Sequence, residues 1–257
     1  MTQSWRFTEA EFYALWTDRT GEELPEPFMF TSTAKTADEF ENELREARKG
    51  LSSKLGGDFQ AVFDTIANPD LFLTAYGWDE QDRWATSSMK RLRATRKGPK
   101  GCLVTQLPGE TYWVRGGYLV EECDPLRLSD AIVAALPSAE HGGRGDVPLA
   151  SPEQDLDHDY GYSAIAARSE TAVSVGQAFL KAPMTTVGEI SIVQGSSVFG
   201  PRGIARHKVL FRDLEDDGRY AIVENPAQAL AVDQTRFVSV LNRYVAAVIQ
   251  TIKDERA

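Results

Sequence analysis

Apolar positions along this chain recur in two rhythms, and the changes of rhythm mark out its elements. Near the start, Phe12, Leu15 and Trp16 share one face at helical spacing. Thr8 and Glu11 form a capping box, in which each side chain satisfies a free backbone N–H, and Phe7 and Phe12 are placed to close a hydrophobic staple. Gly21 ends this helix, and Leu24-Pro25-Glu26-Pro27 predicts a turn into a short edge strand over Phe28-Met29-Phe30. A second capping box, Thr36 with Glu39, opens a helix with Ala37, Phe40, Leu44, Ala47 and Leu51 on its apolar face, closing near Gly50. Asp58 is expected to cap a third helix, with Phe59, Val62, Phe63 and Ile66 at i, i+3, i+4 and i+7 spacing, stopped by Asn68-Pro69.

The rhythm then shortens. Strands are predicted over Leu71 to Trp78, Ala85 to Thr95, Cys102 to Leu107 and Thr111 to Arg115, separated by turns such as Gly98-Pro99-Lys100-Gly101 and Pro108-Gly109. Successive hairpins of this kind give an antiparallel meander. Asp124-Pro125 predicts the start of a helix whose buried stripe is Leu128, Ala131, Ile132, Ala135 and Leu136. Residues 138–162, with Gly142-Gly143, Pro148, Pro152 and acids at 155, 157 and 159, lack periodicity and read as a linker or long mobile loop.

Beyond it the programme returns. A helical stretch through Val173, Val175, Ala178 and Phe179 ends at Ala182-Pro183, and strands are predicted over Gly188 to Gly195, Ile204 to Arg212, Arg219 to Glu224 and Ala229 to Val232. Asp233 then caps a helix striped by Phe237, Val240, Leu241, Tyr244, Val245, Val248 and Ile252. Pro69 thus matches Pro183, and Asp124 matches Asp233. Inside the strands two registers compete, since Lys97-Gly98 to Val104 and Glu110 to Val114 each match Asp217-Gly218 to Ile222. The expectation is an α+β protein forming one structural domain, with an N-terminal half over 1–137, the acidic linker over 138–162 and a second half over 163–257 that repeats the order. Its two meanders pair into one antiparallel sheet, with helices at the ends or on one face.

Composition narrows the function classes. Apolar residues at 42% and charged residues at 26% are those of an ordinary globular domain. The absence of a run of about 20 apolar residues, or of a signal-like layout over Met1 to Arg6, places the expectation in the cytoplasm. Twenty-eight basic residues against 38 acidic ones give a net charge of −10, which disfavours nucleic acid. Two cysteines, Cys102 and Cys123, form no disulfide framework and read as small buried hydrophobes.

Catalytic chemistry is hard to assemble from what remains. His141, His158 and His207 lie far apart, and the group Asp155, Asp157, His158 and Asp159 lacks the glycine and terminal glutamate of a calcium loop. Gly195 to Gly203 precedes a predicted strand, whereas a phosphate cradle feeds a helix, so it reads as a hairpin loop. A cysteine nucleophile paired in space with His158 is the enzyme alternative. The expectation is no catalytic residue, no metal and no cofactor. The basic stretch Lys90 to Lys100 reads first as a solvated face, and alternatively as an electropositive patch for an acidic partner, flanked by Trp78 and Trp84 as interface anchors.

Taken in order, Phe12-Tyr13-Ala14-Leu15-Trp16, Leu24-Pro25-Glu26-Pro27, Gly77-Trp78, Phe211-Arg212-Asp213, Asp217-Gly218-Arg219-Tyr220 and the Asp233-capped last helix resemble the EspG family of ESX (type VII) secretion proteins over nearly the whole chain. The resemblance implies a cytosolic, cofactor-free chaperone whose central antiparallel sheet is flanked by two helical bundles in pseudo-two-fold arrangement. It also implies a client, a PE–PPE-type helical heterodimer, held by the hydrophobic tip of the PPE protein. On that resemblance the sheet surface and its longest loops become the candidate contact: Trp78, Trp84, Met89, Arg91 and Arg93, with Val198, Phe199 and Arg202 as counterparts, and Arg236 and Arg243 on the last helix. The alternative is a homodimeric structural or adaptor subunit that releases no client.

Overall fold

A computed structural model of the chain describes residues 3–87, 89–149 and 174–257. Strand β1 (Ser4–Phe7) leads into α1 (Glu9–Thr20), followed by α2 (Ala37–Lys54) and α3 (Gly57–Ala67). The first meander is β2 (Leu71–Asp79), β3 (Lys90–Lys97), β4 (Lys100–Gln106) and β5 (Tyr118–Cys123), closed by α4 (Leu128–Ala135). After β6 (Val147–Pro148) and a helix over 174–181 (α5), the second meander is β7 (Met184–Gln194), β8 (Arg206–Leu214), β9 (Arg219–Glu224) and β10 (Ala227–Ala231), closed by α6 (Gln234–Arg256).

The signals that start and stop these helices act as their chemistry requires. Thr8 N–H donates to Glu11 Oε2 at 2.8 Å and Glu11 N–H donates to Thr8 Oγ1 at 3.2 Å, while Gly21 takes the left-handed conformation, φ 72°, that a side chain would strain. Asp233 accepts from the N–H of Arg236 at 2.7 Å and starts a 23-residue helix.

The ten strands of the described residues form one sheet in the order β1-β5-β4-β3-β2-β7-β8-β9-β10-β6. Its paired strands are antiparallel, and β2 meets β7 at the centre, from Leu71 opposite Gln194 to Asp79 opposite Thr186. Because directly opposed residues share a face, the register fixes which side chains cooperate. One face carries Leu73, Ala75, Leu92, Ala94, Ile190, Ile192, Val209 and Phe211, and buries them beneath α4 and α6 through Ile132, Phe237, Leu241 and Val248. Gly77 and Gly188 oppose each other on this face beside the Phe211 ring. A Cβ built at Gly188 would lie 2.4 Å from Phe211 Cζ, so the close approach of ring to backbone requires glycine there.

The other face is covered at its two ends. At one end α1 and α3 pack Phe12, Trp16, Phe59 and Phe63 against Phe7, Cys102, Val104 and Tyr118. At the other, Phe179 of α5 packs with Val147, Tyr220, Ala229 and Ala231. Between these coverings lie half-buried Phe72, Thr74, Tyr76 and Trp78 on β2, and exposed Arg206, Lys208 and Leu210 on β8.

Several expectations are corrected. Phe28 to Phe30 is not a strand: Met29 O accepts from Gln106 Nε2 at 2.6 Å and from Tyr118 Oη at 2.8 Å, so side chains satisfy this backbone and the sheet edge is β1 instead. Thr111 to Arg115 is not a strand either. Thr111 N–H donates to Val114 O and Val114 N–H to Thr111 Oγ1, closing the segment on itself, and the fourth strand follows as β5. Gly56, not Asp58, caps α3, and α2 runs past Gly50 to Lys54. Asp124 accepts from Leu126 N–H at 2.8 Å and shapes the turn that precedes α4, which starts at Leu128 rather than at Pro125. The acids at 155, 157 and 159, His158 and Val173 lie outside the described residues.

Candidate functional site

The strand directions decide which loops can meet. Each hairpin reverses the chain, so the connection 80–89 between β2 and β3 and the connection 107–117 between β4 and β5 emerge at the same end of the sheet. The loop 195–205 between β7 and β8 emerges at the opposite end, because β7 runs antiparallel to β2. The eight steps between the nine residues of β2, at about 3.4 Å each, separate the two ends by about 27 Å.

At the first end stands an aromatic cluster. Trp84 is 67% exposed and sits edge-on to Tyr112, at 5.0 Å between ring centroids; Tyr112 in turn meets Trp113, 55% exposed, at 4.8 Å. Trp78 lies 5.2 Å from Tyr76, donates from Nε1 to Glu80 Oε2 at 2.9 Å, and carries the Arg83 guanidinium over its ring. Arg83 and Glu80 are themselves hydrogen-bonded. Large aromatics held by neighbours yet open to water are features of surfaces that hold other proteins.

Beneath this rim the chain turns basic and dry. Arg91 and Arg93, expected on a solvated face, are buried, as is Met89, so the stretch from Lys90 to Lys100 is not an exposed basic patch. The cause is the sheet register: Arg91 opposes Tyr76 and Arg93 opposes Thr74 on the face that α1 and the segment around Glu26 approach. Arg93 places its guanidinium 3.8 Å from the Phe72 ring centroid and donates from Nη1 to Glu26 O at 2.9 Å; burial lowers its pKa to about 10. Arg91 lies between two phenols, 5.4 Å from the Tyr76 ring and 5.7 Å from Tyr112.

Two residues that sequence reasoning missed complete this region. Arg115 is buried, its N–H donating to Glu9 Oε2 at 3.0 Å and its Nη2 pointing at Met89 O at 3.4 Å. Glu9, at the first turn of α1, also accepts from Gln106 Nε2 at 3.2 Å, and burial raises its pKa against the pull of those donors. The adjacent aromatics Tyr112-Trp113 inside a turn-rich segment were the signal that could have drawn attention to this loop.

The remaining predicted residues are elsewhere. Val198 and Phe199, 69% and 75% exposed, crown the opposite end, with Arg202 exposed in the same loop. That loop is clamped by Glu255 of α6, which accepts from Gln194 Nε2, Ser197 Oγ and Val198 N–H at 2.9 to 3.1 Å. Arg236 and Arg243 belong to α6, on the far face of the sheet. Arg236 is occupied, donating to both carboxylate oxygens of Asp146 at 2.7 and 2.8 Å and holding that carboxyl below its ordinary pKa. Arg243 stacks on Tyr244. The structure therefore brings together Trp78, Trp84, Met89 and Arg91, and separates them from Val198, Phe199 and Arg202 and from Arg236 and Arg243.

Among the described residues no three His, Cys, Asp or Glu side chains are placed to hold a metal ion, and no helix is long and apolar enough to cross a membrane. Cys102 is buried and Cys123 partly so, and burial pushes their thiols up to about 12 and about 11.

The architecture is thus a broad sheet braced by helices, with aromatic loops at its strand ends. The EspG family profile matches residues 8–241, and the chain belongs to the EspG family. No protein of curated function matches the sequence. The fold is also similar to that in the structure of the Mycobacterium tuberculosis type VII secretion system chaperone EspG5 in complex with the PE25–PPE41 dimer. That likeness has a TM-score of 0.51 at 13% identity, covering 99% of this chain and 96% of the other.

Proposed function

We propose that this protein is a cytosolic type VII secretion chaperone that holds a PE–PPE-type helical heterodimer by the hydrophobic tip of its PPE partner until export. Family membership and a fold shared with a chaperone captured in complex with such a dimer support this reading. The observation that carries it to particular residues is the pair Trp84 and Trp113, two exposed indoles fixed around Tyr112 at one end of the sheet. An apolar tip left in water favours self-association, and rigid aromatics cover such a tip at small entropic cost. On this reading the protein works as one domain of two duplicated halves with helical bundles at either side. The strand order supports this, since β5-β4-β3-β2 and β7-β8-β9-β10 mirror each other about the centre, each meander preceded by a proline and followed by a helix over the same face. In that scheme the hairpin turn at Gly98 corresponds to the turn at Asp217-Gly218, which favours the first of the two sequence registers.

The test is light scattering on gel-filtered mixtures with a panel of purified PE–PPE-type heterodimers. A complex of one chain with one heterodimer is expected, lost in Trp84→Ala/Trp113→Ala while thermal stability stays within about 2 °C of wild type. A stable homodimer that takes up no heterodimer would establish the adaptor alternative instead.

A further inference from the structure

Arg91 and Arg115 are both 4% exposed, and three of their side-chain nitrogens, Arg91 Nη1 with Arg115 Nε and Nη1, are buried without a hydrogen-bond partner among the described residues. A buried cationic N–H left without an acceptor is costly, and proteins rarely retain one without a use. Glu9 is near enough for its charge to act on both guanidinium groups, but its hydrogen bonds go to the Arg115 backbone N–H and to Gln106. The two arginines also bear on each other: burial first, and then the charge of Arg91, lowers the pKa of Arg115. Among the described residues, the pair Arg91 and Arg115 thus carries one positive charge more than Glu9 balances, next to the rim of Trp84, Tyr112 and Trp113.

We propose that Arg91 and Arg115 form a receptor site for one carboxylate side chain, an aspartate or glutamate of the docked client, which enters beside Tyr112 as the client's apolar surface seats on Trp84 and Trp113. Guanidinium groups bind carboxylates with directional, paired hydrogen bonds, and a pair enclosed by aromatic rings is shielded from competing water. The apolar rim gives the contact its area, and the buried arginines give it a chemical requirement that a purely apolar client fails. The site thereby selects among helical proteins with similar apolar tips. This rests on the chaperone reading above.

The experiment uses Arg91→Met and Arg115→Met, which keep most of the side-chain volume and every backbone hydrogen bond. If the arginines await a client acid, removing an unbalanced buried charge raises the Tm of the free chain by about 2–4 °C, yet weakens binding of the PE–PPE heterodimer about thirty-fold or more in calorimetry. If they are structural, Tm falls and affinity is unchanged, which overturns the proposal. Should a variant fold poorly, wild type decides. Sodium acetate must weaken heterodimer binding more than sodium chloride at equal ionic strength, and equal effects of the two salts overturn the site. Should wild type bind no heterodimer, the chaperone reading fails separately. In that event, stabilisation of wild type but not of Arg115→Met by acetate would assign the arginines to a free small carboxylate and overturn a client side chain as the ligand, and no effect of acetate would overturn the site altogether.

Discussion

Asp213 and Arg219 oppose each other on β8 and β9, with Arg219 Nε and Nη2 each 2.7 Å from an Asp213 carboxylate oxygen and both side chains buried. Arg219 Nη2 also donates to Pro137 O at 2.9 Å, and neighbouring Asp217 accepts from Gly143 N–H and from Tyr220 Oη. The run from Phe211 to Tyr220, part of what marks the family resemblance, thus acts as structural glue that ties residues 137–144 to the second meander. Removing one partner of such a buried pair strands the other charge, so Asp213→Ala is expected to cost about 3–5 kcal/mol in urea unfolding. The thiols make the opposite case. With Cys102 held near 12 and buried, iodoacetamide at pH 8 is expected to leave it unmodified in the native chain and to label it in urea, as read by mass spectrometry. Rapid native labelling would revive the cysteine-nucleophile alternative. Arg91 and Arg93 show where residue-level reading stops: their alternation with Leu92 and Ala94 gives the strand, but which alternating set meets water depends on what lies over each face.

Elements were legible where the signal is local. The capping box at Thr8, the Thr36 cap, the Asp233 cap and the period of α6 all act within one or two turns; at Thr36 the box is only half made, because Glu39 accepts from the Lys35 N–H instead of the Thr36 N–H. Strands were legible where a run is long and bounded by turns, as in β2, β7 and β9. The losses were nonlocal. β1 has four residues and exists because β5 accepts it in register, and Thr111 to Arg115 has strand-like composition but folds back on its own hydroxyl. The energetic weight of α6 lies in its stripe, where Phe237, Leu241 and Val248 are fully buried. Leu241→Ala is therefore expected to destabilise by about 2–5 kcal/mol, whereas Asp233→Ala costs about 1 kcal/mol, compared by thermal unfolding. Equal costs would mean that the helix is held by its cap rather than by its packing on β7 and β8.

At the scale of the molecule, the central pairing of β2 with β7 carries both loop clusters on one rigid frame and keeps them about 27 Å apart. The sequence draws Trp84 and Phe199 into one candidate surface because duplicated halves suggest equivalent loops. The antiparallel centre places them at opposite ends, so on the proposed function a compact client tip would engage one cluster. That cluster is the one at the end where exposed indoles lie over the buried arginines Arg91 and Arg115. Hydrogen exchange by mass spectrometry, on the free chain and on its complex with a PE–PPE heterodimer, tests this most directly. Slowed exchange is expected over 80–89 and 107–117, with 195–205 unchanged. Protection confined to 195–205 or to α1–α3, with 80–89 and 107–117 unaffected, would contradict it.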